Sequence, residues 1–459
     1  MINFLKTGSL NNFKYSILLV TILLSACQSR SNPDPAGKLD TLVSVYAKQG
    51  KFNGSALVAR NGIILLDKGY GYRNDSSKSL NTAQSIFQLG SITKQFTSAV
   101  ILKLQEEKKL SVKDKLSKYF PQYPKGDSIT IEQLLTHTSG VYNYTNDATF
   151  MTNEMTKPAN REKMMAQFKD KPLDFPPGTG WNYSNSGYSL LGYIIEIATG
   201  KPYEQVVRDY IFTPLKMTNS GFDFTHLNEP DKATGYSEVG SINTAIAPIV
   251  DSSFSFSAGA IYSTTGDLYK WSNALENYSI LSKAQEEMAY TVVKNNYGYG
   301  WAIDSIDGKR RVGHQGGIPG FRTIIDRVPV DDICIVLLSN GSDEALQEIT
   351  GSIFSVLYNK PYELPIERKV IEVTEEKLKE YIGEYEVKPD FHLIVNIQDS
   401  HLRIDLPGRP ASTLFAEKED YFFVRNQHIQ LQFTRNDKRE VVGLILDQDG
   451  EKKSCKKIK

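Results

Sequence analysis

The sequence predicts an α+β domain at residues 37–360, built from an antiparallel sheet flanked by helices plus an all-helical region, and then a small all-β barrel or sandwich at residues 371–459. Three observations predict this. Segments with period-two apolar alternation stand at both ends of the first part, with amphipathic helical segments between them. "KPYELP" carries two prolines and predicts a linker at residues 361–370. Short strand-like segments separated by turn residues follow it, which is typical of a barrel or sandwich.

The N-terminal residues predict an export signal. Lys6 and Lys14 precede the apolar run "SILLVTILLSA", which is shorter than the ~20 residues that a membrane-spanning helix needs. The run ends in "LSAC", which resembles the bacterial lipobox, so residues 1–26 would be a lipoprotein signal peptide and Cys27 the lipidated residue. A signal peptide cleaved elsewhere is the alternative. Polar, Pro-containing residues 27–36 would form a tether, and we expect a protein anchored to a bacterial membrane, facing the periplasm or exterior.

Overall charge and cysteine content exclude several classes of protein. The chain has 53 Lys plus Arg and 53 Asp plus Glu, so it offers no electrostatic reason to bind a nucleic-acid backbone. Beyond Cys27 it contains only Cys334 and Cys455, which fall in different predicted domains. With no Cys-x-x-Cys motif or His/Cys cluster, neither a disulfide framework nor a structural zinc site is indicated.

The first half of the α+β domain begins with a hairpin and continues with helices. Residues 52–74 read as two strands around Asn61-Gly62, a strong hairpin signal. Apolar residues spaced three and four apart, or capping residues, then predict four helices. These helices are predicted at residues 91–105, from Thr130 with Gln133 as its capping partner, at residues 184–200 ending at Gly200, and from Thr264 with Asp267.

The second half changes to period two. "YGYGWAIDSI", "RRVGHQG", "FRTIIDRV" and "DICIVLLSN" read as consecutive antiparallel strands, with Asp307-Gly308 as one hairpin turn. A last helix, "DEALQEITGSIFSVLYN", would return over them. Since strands stand at both ends of the domain, we expect the two ends of the domain to share one sheet.

Ser91 and Lys94 form the first candidate chemical motif, in "LGSITKQF". Residues three apart are neighbours on a helix, so the hydroxyl and the amine would face each other. A lysine can accept the serine proton only when neutral, which requires burial or a nearby cation to lower its pKa. The alternative is an ordinary helix start with an exposed charge. Ser454 and Lys457 show the same spacing in what reads as a solvated basic tail.

Tyr183-Ser184-Asn185 is the second candidate motif. On an extended loop, the phenol and the amide would point the same way. The tyrosine could then shuttle a proton near an ammonium group, and the amide could hold a substrate carbonyl or orient the lysine. Tyr144-Thr145-Asn146 has the same pattern, but residues 183–185 follow a Pro-Pro-Gly loop and precede an amphipathic helix. A turn tyrosine and a helix-capping asparagine are the structural alternative.

His314-Gln315-Gly316-Gly317 is the third candidate motif and falls on a predicted strand. Glycines inside a strand often mark the close approach of another backbone or a ligand. A histidine beside them could bind a substrate carboxylate or assist proton transfer. A half-buried histidine in a bulged strand is the alternative.

Together, Ser-x-x-Lys, Tyr-x-Asn and His-x-Gly in this order resemble the signature of the penicillin-recognising serine hydrolases. The Tyr-x-Asn form is similar to the class C β-lactamase branch and its relatives: DD-peptidases, D-amino-acid peptidases and carboxylesterases. "LLTHTSGV", "YSNSGYSLLG" and "SAGAIYSTTGDL" are also similar to that branch, and the resemblance covers about residues 40–358. It implies a β-lactamase/transpeptidase-like fold.

The resemblance also implies roles for individual residues. Ser91 would be the acylated nucleophile, Lys94 its general base, and Tyr183 the partner base that protonates the leaving group and activates the deacylating water. Asn185 would contact the substrate amide. His314 would hold the place of the family's third-motif lysine and bind substrate.

Gly316 closes that triplet, and the backbone amides of Ser91 and Gly317 would form the oxyanion hole. No metal or organic cofactor is implied.

Histidine at position 314 is a departure from the lysine that class C β-lactamases usually carry. A neutral histidine is a weaker carboxylate anchor and a better hydrogen-bond partner for an amide or ester. Histidine at this place is similar to DD-peptidases and D-amino-acid peptidases, and this resemblance implies D-amino-acid-containing peptides, such as peptidoglycan stems, as substrates. A carboxylesterase or a β-lactamase are alternatives within the family, and a non-catalytic ligand-binding sensor is the alternative from another class. The C-terminal β domain resembles accessory domains of such peptidases and esterases.

Overall fold

The computed structural model of the protein describes residues 34–237, 245–341, 345–365, 368–389, 391–407, 411–424, 429–448 and 450–459. The predicted signal peptide and Cys27 lie outside these ranges. Within them, no helix is both long and apolar enough to cross a lipid bilayer. The same ranges contain no cluster of three or more His, Cys, Asp or Glu side chains that could hold a metal ion.

A six-stranded antiparallel sheet in the order β2-β1-β10-β9-β8-β7 organises the first part of the chain. The strands of this part are β1 (Gly54–Arg60), β2 (Ile63–Tyr70), β3 (Tyr72–Asn74), β4 (Ser79–Leu80), β5 (Phe87–Gln88), β6 (Tyr262–Ser263), β7 (Ala302–Ile306), β8 (Lys309–Ile318), β9 (Phe321–Val328) and β10 (Ile333–Ser339). β3 pairs with β4, and β5 with β6. The first strand of the domain lies beside its last, from Gly54 opposite Ser339 to Arg60 opposite Ile333, so the predicted sharing of one sheet is confirmed.

Helices cover both faces of this sheet. They are α1 (Pro35–Lys48), α2 (Thr93–Glu106), α3 (Ile131–Leu135), α4 (Ala148–Glu154), α5 (Arg161–Met165), α6 (Asn185–Thr199), α7 (Tyr203–Val207), α8 (Ser252–Gly259), α9 (Thr265–Glu276), α10 (Lys283–Ala289) and α11 (Leu346–Leu357). Alternate β1 residues divide between two cores, with Ala56 and Val58 in the cluster that includes α1 and α11, and Leu57 and Ala59 in the larger cluster of the other helices. β10 lies between β1 and β9 in the sheet, and its alternate residues divide between the same two cores. Every residue of β10 is therefore buried.

Local signals in the sequence account for several helix ends. Thr130 accepts from the Gln133 amide while the Gln133 side chain accepts from the Thr130 amide, a complete capping box for α3. Thr264 caps α9 through the Asp267 amide. Gly200 ends α6 in the left-handed region at φ 69°. The sequence patterns did not predict α1 and α8, nor the short helices α4, α5, α7 and α10.

The C-terminal part is a closed eight-stranded barrel, so of the two predicted architectures the barrel is the one observed. It follows α12 (Glu375–Leu378) and contains β11 (Gly383–Lys388), β12 (Phe391–Gln398), β13 (His401–Asp405), β14 (Ser412–Lys418), β15 (Tyr421–Phe423), β16 (Ile429–Arg435), β17 (Val441–Gln448) and β18 (Glu451–Lys457). β18 pairs with both β11 and β17 and closes the barrel. Its own apolar core includes Tyr381, Tyr385 and Phe433.

The residues read as a solvated basic tail form the strand that closes the barrel, so they are not a tail, although most of their side chains are exposed. Cys455 in β18 is buried, whereas Ser454 beside it is exposed. Because side chains alternate along a strand, residues three apart such as Ser454 and Lys457 point to opposite faces. The second Ser-x-x-Lys match therefore cannot bring its two side chains together.

Candidate active site

Ser91 lies in a single 3-10 turn, Gly90–Ile92, that leads directly into α2. Its hydroxyl oxygen is 3.0 Å from Nζ of Lys94 in the first turn of α2. The side chain of Lys94 is completely buried. The helical spacing thus produces the predicted contact between the serine and the lysine, at a helix N-terminus whose dipole favours a developing negative charge on the serine oxygen.

Among the described parts of the chain, Lys94 Nζ has three hydrogen-bonding partners, and all are uncharged. Besides Ser91 Oγ, it lies 2.8 Å from Asn185 Oδ1 and 2.8 Å from the carbonyl oxygen of Ala258. An amide oxygen and a carbonyl oxygen can only accept hydrogen bonds. A neutral amine therefore donates its two hydrogens to these oxygens and points its lone pair at the Ser91 hydroxyl, as a general base must.

Burial supports the neutral form of this lysine. Desolvation holds the pKa of Lys94 well below its ordinary value near 10.5, because the charged form loses its hydration. The rings of Tyr183 and Tyr188, with centroids 4.8 and 5.3 Å from Nζ, contact it without supplying a counter-ion.

The second motif spans the end of a loop and the start of α6. Tyr183 is in the loop, Ser184 caps the helix through the Gly187 amide, and Asn185 is the first helical residue, so the pair is not on one extended segment as predicted. Tyr183 still reaches the site, where its hydroxyl bonds with the Ser91 side chain. Burial raises the pKa of Tyr183, so the phenol is protonated at rest and is placed to give a proton.

Asn185 orients the lysine, one of the two functions considered for it. While its Oδ1 accepts from Lys94, its Nδ2 donates to Thr145 Oγ1 at 3.2 Å. The similar pattern at residues 144–146 thus lies behind Asn185: Tyr144 is buried and its hydroxyl donates to the Phe254 carbonyl. It supports the second motif and does not reach Ser91 in this arrangement.

His137 is a site residue that the motif analysis missed. It is buried at φ 58°, its Nδ1 accepts from the Ser184 amide at 3.1 Å, and its ring lies 4.2 Å from the Tyr183 ring. Burial lowers its pKa well below the ordinary value, so the ring is neutral. His137 fixes the backbone between Tyr183 and Asn185. Its only signal in the sequence was the phrase "LLTHTSGV", since no spacing pattern links it to position 184.

The third motif lies on β8, next to the turn that carries Ser91. A Cβ on Gly316 would lie 1.8 Å from the carbonyl oxygen of Leu89, so only glycine fits there. Gly90, at φ 57°, approaches Gly317 so closely that its Cβ would be 2.9 Å from the Gly317 nitrogen. These contacts place the Gly317 amide beside the Ser91 turn, where the two predicted oxyanion-hole amides are neighbours.

Both ring nitrogens of His314 are occupied. Nδ1 lies 2.6 Å from the Gln315 carbonyl, which can only accept, so Nδ1 carries the proton. Nε2, 2.9 Å from the Tyr297 hydroxyl, then accepts from it. Burial and the neighbouring Lys94 lower the pKa of His314 to about 3, which keeps the ring uncharged. The third motif therefore presents the Tyr297–His314 pair where lysine would place a cation.

This arrangement can carry out acyl transfer. It combines a hydroxyl on a turn at a helix start, a desolvated amine close to it, a protonated phenol beside it and a pair of backbone amides at the same turn. Lys94 contacts Ser91 and Asn185, and Tyr183 contacts Ser91. On β8, His314 and Gly316 border this group.

Comparisons with known proteins agree with this geometry. Residues 39–357 match the family model described as Beta-lactamase, and residues 367–456 match a domain of unknown function, DUF3471. The chain is 29% identical to "Penicillin-binding protein 4*" of Bacillus subtilis (strain 168) over 448 residues, or 92% of this chain and 98% of that protein. It is 33% identical to "Putative penicillin-binding protein PbpX" of the same strain, covering 69% of this chain and 78% of that protein.

Solved structures show the same fold. The octameric penicillin-binding protein homologue from Pyrococcus abyssi superimposes with a TM-score of 0.64 at 27% identity, covering 92% of this chain and 99% of that one. The D-amino acid amidase from Ochrobactrum anthropi SV3 gives a TM-score of 0.62 at 24% identity, covering 71% of this chain and 99% of that one. The second likeness extends to the fold alone.

Proposed function

The chain belongs to the β-lactamase family of serine hydrolases, and from this premise we propose that it cleaves amide bonds in D-amino-acid-containing peptides, such as peptidoglycan stems, through an acyl-enzyme on Ser91. The observation that carries this proposal is the 3.0 Å contact between the Ser91 hydroxyl and the completely buried Lys94 Nζ, whose pKa burial lowers. The penicillin-binding names of the relatives support a peptide substrate.

In the first half-reaction, Ser91 Oγ attacks the scissile carbonyl carbon while Lys94 Nζ takes the hydroxyl proton. The amides of Ser91 and Gly317 stabilise the oxyanion. Tyr183 gives its proton to the leaving nitrogen and recovers one from the Lys94 ammonium. The carbon–nitrogen bond breaks, and the acyl group remains on Ser91 as an ester.

In the second half-reaction, a water molecule attacks this ester. Tyr183 and Lys94 accept the water proton, and it passes to Ser91 Oγ as the ester bond breaks. The products are a free carboxylic acid and the resting enzyme. The 2.8 Å hydrogen bond from Lys94 Nζ to Asn185 Oδ1 holds the lysine in position during both half-reactions.

An esterase is the second candidate, because the same residues cleave esters. Hydrolysis of β-lactams is the third candidate, and His314 is an uncharged residue at the place where class C β-lactamases usually carry lysine. A non-catalytic sensor would have no need for a buried base aligned with a hydroxyl.

The test compares four compounds on the full chain without its signal segment: a peptide ending in D-Ala-D-Ala, the same peptide ending in L-Ala-L-Ala, a short phenyl ester and a chromogenic cephalosporin. We expect release of D-alanine, no release from the L peptide, and an acyl adduct on the Ser91 peptide by mass spectrometry. Turnover of the ester alone would favour the esterase, and fast turnover of the cephalosporin would favour the β-lactamase. No adduct with any compound would contradict a serine hydrolase.

We also propose export and lipid anchoring through Cys27, on the strength of the "LSAC" sequence and the short apolar run before it. In a bacterial expression host grown with a labelled fatty acid, the wild-type chain should carry the label and sediment with membranes. Cys27→Ala should lose both, whereas Cys334→Ala, which removes a buried thiol, should keep both. Label retained by Cys27→Ala would refute the anchor.

A further inference from the structure

A cleft lies at the end of the β8–β9 hairpin, beside the candidate oxyanion hole. Its volume is about 530 Å³, and the described residues that line it are Ser237, Gly317, Ile318, Pro319, Gly320 and Arg322. Gly317 is exposed to this cleft, and its amide is next to the Ser91 turn. Gly317 thus borders both the Ser91 turn and this cleft.

Arg322 pairs with Gly317 across β8 and β9, and its guanidinium lies close to it: a Cβ on Gly317 would be 3.6 Å from Arg322 Nη1. Nη1 donates to the carbonyls of Ile318 and Phe321 at 3.3 and 3.0 Å. Other arginines of this sheet have acidic partners: Arg311 pairs with Asp326 and Arg327 with Glu276. Within the part of the chain that the structure describes, no carboxylate oxygen lies within ion-pair distance of Arg322.

The positions of Tyr183 and His314 relative to Ser91 indicate which part of a substrate would enter this cleft. Tyr183, which would protonate the leaving group, lies on the His314 side of Ser91, with the two ring centroids 6.4 Å apart. From His314, β8 continues past Gly317 to Ile318, a rise of roughly 13 Å over four residues. With Tyr183 as the proton donor to the leaving group, the proposed mechanism puts the leaving group on the His314 side and the acyl chain past Gly317 toward Arg322.

The charges of the site differ between these two sides. On the leaving-group side, Lys94 and His314 are both neutral because both are buried. On the acyl side, the Arg322 guanidinium is permanently charged and partly exposed. An anionic substrate group is therefore attracted to the acyl side.

We propose that Arg322 binds a carboxylate on the acyl side of the substrate and so selects anionic acyl donors. This inference rests on the proposed acylation of Ser91 and names the substrate class for it. The guanidinium forms paired hydrogen bonds with a carboxylate, and the cleft beyond Gly317 has room for the chain that carries it. Peptide stems with a side-chain or α-carboxylate close to the scissile bond belong to this class.

The test uses three phenyl esters of similar size: phenyl butyrate, which is neutral, monophenyl glutarate, with a carboxylate in the acyl arm, and 3-carboxyphenyl butyrate, with a carboxylate on the leaving group. We expect the wild-type chain to prefer the glutarate ester. Arg322→Gln should lower kcat/KM for this ester by about 10- to 100-fold, and for the other two by about 2-fold or less. Raising the ionic strength should shrink the wild-type preference.

Two further variants and one probe complete the design. Arg322→Lys keeps the charge and should keep part of the preference. Arg310→Gln removes an exposed arginine of the neighbouring strand β8, paired with Glu287, and should change nothing. An equal loss on all three esters, or a loss confined to the leaving-group carboxylate, would overturn the proposal. Labelling by a neutral fluorophosphonate distinguishes failure of this inference from failure of the proposed function. If Ser91 is labelled but the ester preference is the same in Arg322→Gln, only this inference fails. If Ser91 is never labelled, the proposed function fails with it.

Discussion

Replacing Ser91 with alanine should reduce amide or ester hydrolysis by about 10⁶-fold and abolish fluorophosphonate labelling. The reason is that the hydroxyl oxygen forms the covalent bond. Among the residues that the structure describes, Ser91 is also the only one whose hydroxyl is hydrogen bonded to Lys94 Nζ. The fold should be kept, since the change removes one partly exposed oxygen from a turn. Rates on the phenyl ester, with thermal unfolding by circular dichroism, are the measurements.

Ser98→Ala is the matched control. Ser98 is a buried serine of α2, and within the described residues its hydroxyl has no hydrogen-bond partner. Its removal should leave rate and labelling unchanged. Covalent labelling that survives in Ser91→Ala would move the nucleophile elsewhere and refute the proposed mechanism.

Replacing Lys94 with methionine should slow acylation of Ser91 by about 10²- to 10⁴-fold, because a side chain of similar length then fills the space without a lone pair. The pre-steady-state release of phenol measures this step. Lys103→Met changes a lysine on the same helix that pairs with Glu106 and should acylate at the wild-type rate. An unchanged acylation rate in Lys94→Met would mean that another group accepts the proton.

The pH dependence of acylation gives a second measurement on Lys94. Because only the neutral amine accepts a proton, the wild-type rate should rise with pH through the lowered pKa of Lys94 and level off above it. Lys94→Met should lose this rise. His314, with a pKa of about 3, is neutral throughout and does not produce it.

The lowered pKa of Lys94 also determines the direction in which the free energy of unfolding changes with pH. The unfolded chain binds a proton on Lys94 at pH values where the folded protein has released it, so this residue makes the free energy of unfolding rise with pH between the two pKa values. Above the unfolded pKa the contribution is constant. Urea unfolding of the wild type and of Lys94→Met across this window would show the difference.

The sequence predicted the fold class because its signals are local. Asn61-Gly62, the capping box at Thr130 and Gly200 each specify a turn or a helix end from a few neighbouring residues, and each appears as predicted. The short helices between residues 148 and 212 have no such strong periodicity, and burial in the shared core stabilises them. No local pattern carries that information.

The candidate site was predictable to the extent that its spacing is helical or its glycines are obligatory. Ser91 and Lys94 are one helical turn apart, and Gly316 adjoins the Leu89 carbonyl, so both motifs could be recognised in the sequence. His137 and Arg322 could not be recognised, because their importance depends on contacts between segments far apart in the chain. The catalytic roles themselves stay predictions until the variants are measured.

The pairing of β1 with β10 has a consequence for the folding of the protein. Asn53 and Asn340 are hydrogen bonded although they are 287 positions apart in the chain, and β8, β9 and β10 are all needed to bring Gly317 to the Ser91 turn. During synthesis, the segment that carries Ser91 and Lys94 therefore cannot pack against the completed sheet until most of the chain has been made. Such long-range closure slows folding, and a chain shortened before β10 should never assemble the site.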